Sequence, residues 1–234
     1  MTGHSLAGRS EQEVLWAQRR SFLIAAAAWT TAGGTYAAQA RSNVVDLRGD
    51  ATVNGERLTA ERIIQSSDRI VTGPGSTLTF TLGNSAFHVR QNSSVSLDPS
   101  DSGLLVSALR LFTGAVVSVW GKGDKRKIIM PTLTAGIRGT GVYAEVFADQ
   151  GGRSYLCNCY GEVEVNAGED QTLSRSEYHQ AFWGEVDAPA GRKLLPAKAF
   201  NHTDEELETL ARLAGQQTAW QITGRKGVKN RYDY

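Results

Sequence analysis

Hydrophobic and polar residues alternate along most of this chain. In Thr77–Leu82, Leu78, Phe80 and Leu82 fall on one face and threonines on the other, the period-two pattern of a half-buried strand. Gly83-Asn84 marks a turn, and Phe87 and Val89 then continue the apolar set. Asn54-Gly55 between Asp50–Val53 and Glu56–Thr59 is a strong hairpin signal. Further strands are predicted at Val95–Leu97, Leu104–Leu111, Ala115–Trp120, Lys127–Met130, Gly141–Phe147, Tyr155–Val165 and Glu177–Trp183. Thr113-Gly114 reads as the break between the second and third of these, and Lys122–Lys127 as a solvated hairpin tip. Strands at this spacing, each burying one face, predict an all-β fold: an antiparallel β-sandwich or rolled sheet.

The pattern changes near the C-terminus. Thr203 and Glu206 form a capping box, Leu207, Leu210, Ala211, Leu213 and Ala214 make one helical stripe, and Gly215 is a stop signal. One C-terminal helix of about twelve residues should pack on the sheet, and Gly224–Tyr234 should be loose.

The first forty residues read as an address. Arg19-Arg20, a short apolar run from Phe22 and Ala38-Gln39-Ala40 have the order of an export signal. The paired arginines and weakly apolar core predict the twin-arginine type, and the run is too short and too polar to span a bilayer. The expected organisation is therefore a signal at 1–40, a β domain at 41–200, and a helix with a flexible tail at 201–234. The mature chain is then expected to be periplasmic and to lack a transmembrane segment. Removing residues 1–40 leaves 22 basic and 22 acidic side chains. No basic stripe is visible, which argues against nucleic-acid binding.

Catalytic signals are absent: there is no Gly-x-Ser-x-Gly elbow, His-Glu-x-x-His helix or phosphate-binding Gly-Lys-Ser/Thr, so the chain does not read as an enzyme. The chemically distinctive segment is Tyr155–Gly161, which holds the chain's two cysteines, Cys157 and Cys159. Two apart on a strand, both sulfurs project from one face. They could bind a soft or borderline metal with imidazoles, pair as a strained disulfide, or simply pack. His88, His179 and His202 are the histidines left after the signal.

Several segments resemble the FecR domain, a β-rich module of bacterial envelope signalling. They are Pro131–Thr140 with its Ile137-Arg138-Gly139-Thr140 run, Asp68–Gly73, Ser76–Leu82 with Phe87–Ser93, and Leu111–Val116. The resemblance covers roughly Val44 to Val165. It implies a module that recognises an envelope protein partner or a small ligand. Direct sigma-factor control is not expected, because the regulator and anchor segments of the well-known FecR proteins are not seen here. Within the signature, Gly136, Arg138, Gly139 and Thr140 are the candidate site. Arg138 would either meet an anionic ligand or, the simpler reading, tie down carbonyls where the glycines let two backbones approach.

The chain also resembles a stand-alone exported subgroup with a Cys-x-Cys-Tyr-Gly strand, a Tyr-His pair (Tyr178-His179) and an Asn-His-Thr-Asp lead-in to the last helix (Asn201–Asp204). That likeness makes Cys157, Cys159, His179 and His202 a candidate ligand set for zinc or haem. Oligomeric state is not legible.

Overall fold

The computed structural model describes residues 42–103, 105–123, 125–188 and 192–227. The proposed signal at 1–40 and the last seven residues of the tail lie outside them. The first strands are β1 (Val44–Arg48), β2 (Ala51–Val53), β3 (Glu56–Arg57), β4 (Arg69–Thr72) and β5 (Thr77–Leu82). They are followed by β6 (Ser85–Val89), β7 (Ser94–Pro99), β8 (Val106–Val119), β9 (Arg126–Ile129) and β10 (Thr134–Phe147). Then come β11 (Arg153–Ala167), β12 (Asp170–Ser176), β13 (Gln180–Gly184) and β14 (Leu194–Ala197), with helices α1 (Asp204–Leu213) and α2 (Ala219–Thr223) closing the chain. The fold is all-β with a small C-terminal helical part, as the alternation predicts. Among the described residues, no helix is long and apolar enough to cross a membrane.

The strands join into one large rolled sheet in the order β14-β13-β11-β10-β9-β8-β7-β4-β2-β3, with β6, β5 and β1 branching from β8. Asn54-Gly55 closes the β2–β3 hairpin as read, with φ of 55° and 85°. Among the described residues all pairings are antiparallel except one: β9 runs parallel to β8, with Ala108 opposite Lys127. Lys122–Lys127 is therefore a crossover rather than a hairpin tip. Arg126 within it is buried, donating to Ser85 Oγ and to Asn84 Oδ1 at 2.7 Å.

Three strands are long, and each is bent in its middle. The predicted break at Thr113-Gly114 is a bulge inside the continuous strand β8, where the register to β7 slips between Ser94 and Val95. Strand β10 slips between Arg138 and Val142, and β11 slips with it around Cys159. A bulge adds one residue to one strand, so every later side chain changes face. The core records this. Leu109 and Leu111 of β8 point into the interior, but so does Val116, while Val117 and Val119 point out. In β11, Tyr155, Cys157 and Cys159 lie on the outer face, whereas Val163 and Val165 lie inside.

That outer face is not wet. The reading that each strand buries one side holds for β4 and β7 and fails in the centre, where β6 is buried at every residue. The segment after β14 lies over the outer face and builds a second apolar cluster. It contains Val117, Val119, Tyr143 and Tyr155 from the sheet, and Leu207, Leu210, Ala211 and Trp220 from the segment. Helix α1 starts at the Thr203–Glu206 capping box and ends two turns later than its first Leu. Its end is a Schellman turn, with Gln216 N–H bonding Ala211 O at 2.7 Å and Gly215 N–H bonding Arg212 O at 3.1 Å. A second helix, α2, follows with its own capping box of Thr218 and Gln221. It is not expected from the sequence, because five residues are too few to show a helical stripe. Nor is the beginning of the predicted tail loose, because Lys226 returns to Asp204 at 2.8 Å.

Candidate metal centre

The outer-face cluster contains a polar heart. Cys157 and Cys159 come from β11, His179 from the turn into β13, and His202 from the residue before the Thr203 cap of α1. Their ligating atoms all lie within 4.8 Å of one another, and all four side chains are buried. Strand alternation places Cys157 outward, opposite Ala181. Cys159 reaches the same side as the extra residue of the β11 bulge, between the pairs Val142–Asn158 and Gly141–Tyr160. His179 sits at φ 48°, a left-handed conformation that only few non-glycine residues adopt. Its backbone N–H bonds Cys159 O at 2.9 Å, which fixes the turn against the cysteine strand.

The outer ring nitrogens decide what the inner ones do. His202 Nδ1 is 2.6 Å from Phe200 O, a carbonyl that can only accept, so Nδ1 carries the proton. His179 Nε2 is 3.0 Å from Asp204 Oδ1, and the other oxygen of that carboxylate accepts from Tyr178 Oη at 2.9 Å and pairs with Lys226 Nζ. Asp204 is thus held as an anion, and Nε2 donates to it. In the neutral imidazoles this leaves His179 Nδ1 and His202 Nε2 as lone pairs, and they face each other at 3.0 Å. Two lone pairs that close repel each other unless a cation, a proton or a metal ion, sits between them.

Two of the sulfur–nitrogen distances match the edges of a tetrahedral site. Zinc bond lengths to sulfur and imidazole put tetrahedral S···N edges at about 3.5 Å and the N···N edge at about 3.3 Å. Here Cys157 Sγ lies 3.6 Å from His179 Nδ1 and Cys159 Sγ lies 3.4 Å from His202 Nε2. Burial alone would raise the Cys157 thiol. The Cys159 hydrogen bond, together with the positive charge of His202 and the hydrogen bonds of both imidazoles when these rings are protonated, outweighs it, and the Cys157 pKa falls well below the ordinary thiol value. No disulfide joins the two cysteines, so that alternative is not the state seen. Four donors this close surround one ion and leave no plane for a porphyrin, so the set fits zinc and not haem.

Aromatic rings enclose the four ligands. Tyr143 stacks on His202 at 4.8 Å and Trp220 on His179 at 5.6 Å. The Arg90 guanidinium also packs on Tyr143, 5.0 Å from the ring centroid. Arg90 Nη2 reaches both Glu206 oxygens, at 2.9 and 3.1 Å. Glu206 also accepts from Thr203 N–H at 2.8 Å, so one carboxylate both caps α1 and clamps it to the sheet. Arg90 holds the Glu206 carboxyl below its usual range despite burial. Burial raises Tyr143 well above an ordinary phenol.

Asp204, Arg90, Tyr143 and Trp220 were not among the predicted site residues. Asp204 sits in the Asn201–Asp204 motif, but nothing in the sequence says that it turns toward His179.

The signature residues lie elsewhere. Gly136, Arg138, Gly139 and Thr140 fall in the middle of β10. Ile137 and Thr140 are buried, but the Arg138 side chain is 59% exposed and meets Glu162 at 3.8 Å, which Arg175 also reaches at 3.1 Å. The expectation that Arg138 ties down carbonyls is corrected: it belongs to a solvated cross-strand charge cluster. Bending is the work of the glycines. Gly139 at φ 66° and Gly161 at φ 97° allow β10 and β11 to kink side by side.

No family model matches the chain, and no curated protein matches it. Two solved structures, at 2.50 and 1.65 Å, of a "putative anti-sigma factor" from Parabacteroides distasonis are similar in part. Each has a TM-score of 0.45 and 9% identity over 66% of this chain. The match spans 62% of that protein, less than two thirds of its length. A likeness this low carries no argument about function, which rests on the site.

Proposed function

We propose that this protein is an exported, non-enzymatic β module that binds one zinc-class divalent ion through Cys157, Cys159, His179 and His202. The observation that carries the reading is the convergence of two imidazole nitrogens, 3.0 Å apart, and two thiols in one buried spot. Both outer nitrogens are engaged by acceptors, the arrangement that orients histidines around a metal. Four protein ligands leave no open coordination position, which is the pattern of a structural ion and not a catalytic one. The test is metal analysis of the purified mature protein alongside Cys157→Ser and Cys159→Ser variants. One zinc per chain in the parent and none in the variants is expected. A parent without metal, whose thiols react freely with a thiol reagent, sinks the reading.

A second reading concerns the setting. The FecR-like run through Ile137–Thr140 and the twin-arginine pattern at Arg19-Arg20 support a periplasmic module of envelope signalling that recognises a protein partner or small ligand. Exposure of Arg138 beside Glu162 and Arg175 favours a polar contact there. Capture from envelope extract with the parent and Arg138→Ala checks it. Failure of both to retain a partner removes its support.

A further inference from the structure

The four ligands come from two parts of the molecule. Cys157, Cys159 and His179 belong to the sheet and its tightly bonded turn. His202 belongs to the segment that leaves β14 and runs over the outer face. The polar anchors of that segment cluster around its start: His202 at the site, Asp204 on His179 and Tyr178, Glu206 on Arg90, Asn201 on Glu145 and the Lys198 carbonyl on Tyr155, with Gln216 on Asn84 further along. Beyond them it holds by apolar packing of Leu207, Leu210, Ala211 and Trp220. A ten-residue helix such as α1 is too short to be stable alone, so its order comes from docking.

Exposure closes the argument. Both cysteines are 0% exposed, His179 3% and His202 6%. An ion cannot enter or leave while Trp220 and α1 cover the ligands. Because the full ligand set exists only when His202 is in place, the ion binds the closed form more tightly than a lifted one with three ligands and so stabilises it.

We infer that residues 198–227 form a metal-operated lid: the bound ion holds the segment down, and loss of the ion lets it lift from the outer face of β8, β10 and β11. This rests on the metal reading given above. Metal supply is thereby converted into exposure of a face carrying Val117, Val119, Tyr143 and Tyr160.

The experiment is amide hydrogen exchange on the mature protein, zinc-loaded and chelator-stripped, with metal content measured on the same samples. On stripping, amides of 204–213 should exchange at least about tenfold faster, while β5 and the inner half of β10 keep their protection, as expected of a locally opening unit. Zinc transfer to a chromophoric chelator should proceed at a rate independent of chelator concentration. Glu206→Gln and Trp220→Leu, which leave all four ligands in place, should speed it.

Bound zinc with unchanged exchange in 204–213 after stripping overturns the lid while leaving the metal site standing. So does transfer first-order in chelator. Loss of protection throughout the sheet overturns it too, because the ion would then hold the whole fold. A protein that binds no zinc overturns both the lid and the reading beneath it.

Discussion

His179 Nδ1 and His202 Nε2 meet at 3.0 Å, each fixed from behind by a hydrogen bond at the opposite ring nitrogen. One ring hangs from the sheet and the other from the segment that covers it. The contact is repulsive between neutral imidazoles and becomes favourable when a cation sits between them, so a metal ion bound there would join two parts of the fold. The supports behind the rings are therefore the first place to perturb.

Asp204→Asn keeps the size of the side chain and removes the charge that His179 Nε2 donates to. Loss of such an outer partner typically weakens metal binding by about 10- to 100-fold. Competition titration against a chelator of known affinity checks it. An unchanged affinity would mean that Asp204 only serves Lys226 and the first turn of α1.

Arg90 and Glu206 form a buried pair, with side chains 12% and 5% exposed. Removing one partner strands the other charge in the interior, at a cost of about 3–5 kcal/mol. Arg90→Met and Glu206→Gln should each show that loss in urea unfolding. The double variant should lose less than the sum of the two.

His88 supplies a pH dependence. Burial lowers its pKa from 6.5 to about 4, so the folded protein keeps it neutral where the unfolded chain protonates it. A lowered histidine pKa means that stability falls as pH drops from 6.5 toward 4 and levels off below. The expected loss is on the order of 3 kcal/mol. The lowered Glu206 carboxyl acts in the same direction, its contribution being present above the unfolded value of 4.5 and lost as pH falls through the folded one. His88→Gln should flatten the slope between pH 6.5 and 4 relative to the parent, measured as urea midpoints across that range.

The family signature invites a different test. Arg138→Ala removes an exposed side chain from a solvated charge cluster, so stability should change by no more than about 0.5 kcal/mol. Gly139→Val places a β-branched residue at φ 66°, with a Cβ 2.8 Å from Lys122 Cγ, and should destabilise by more than about 1 kcal/mol. Equal effects of the two substitutions would contradict the assignment of the bend to the glycine.

Much of this architecture is legible in local pattern, because alternation, Asn54-Gly55 and the Thr203–Glu206 box each act over a few residues. The bends are not. Thr113-Gly114 has the composition of a turn, and only pairing with β7 on one half and β6 on the other keeps β8 continuous through it. Cys157 and Cys159 share a face as their spacing implies, yet the bulge at Cys159 puts them opposite Val163 and Val165, which simple alternation would have placed beside them. The four ligands were nameable from motif likeness. Their convergence depends on the left-handed turn at His179 and on where the last segment docks, and both are long-range outcomes. Arg138 shows the reverse: a conspicuous motif residue need not be an interior one.

The most direct test of the metal centre is cobalt titration of the stripped mature protein. Tetrahedral binding through two thiolates and two imidazoles predicts intense visible d–d bands with sulfur-to-cobalt charge transfer, saturating at one cobalt per chain and abolished by one equivalent of zinc. Only weak octahedral bands, or a spectrum unchanged in Cys157→Ser and His202→Ala, would contradict it.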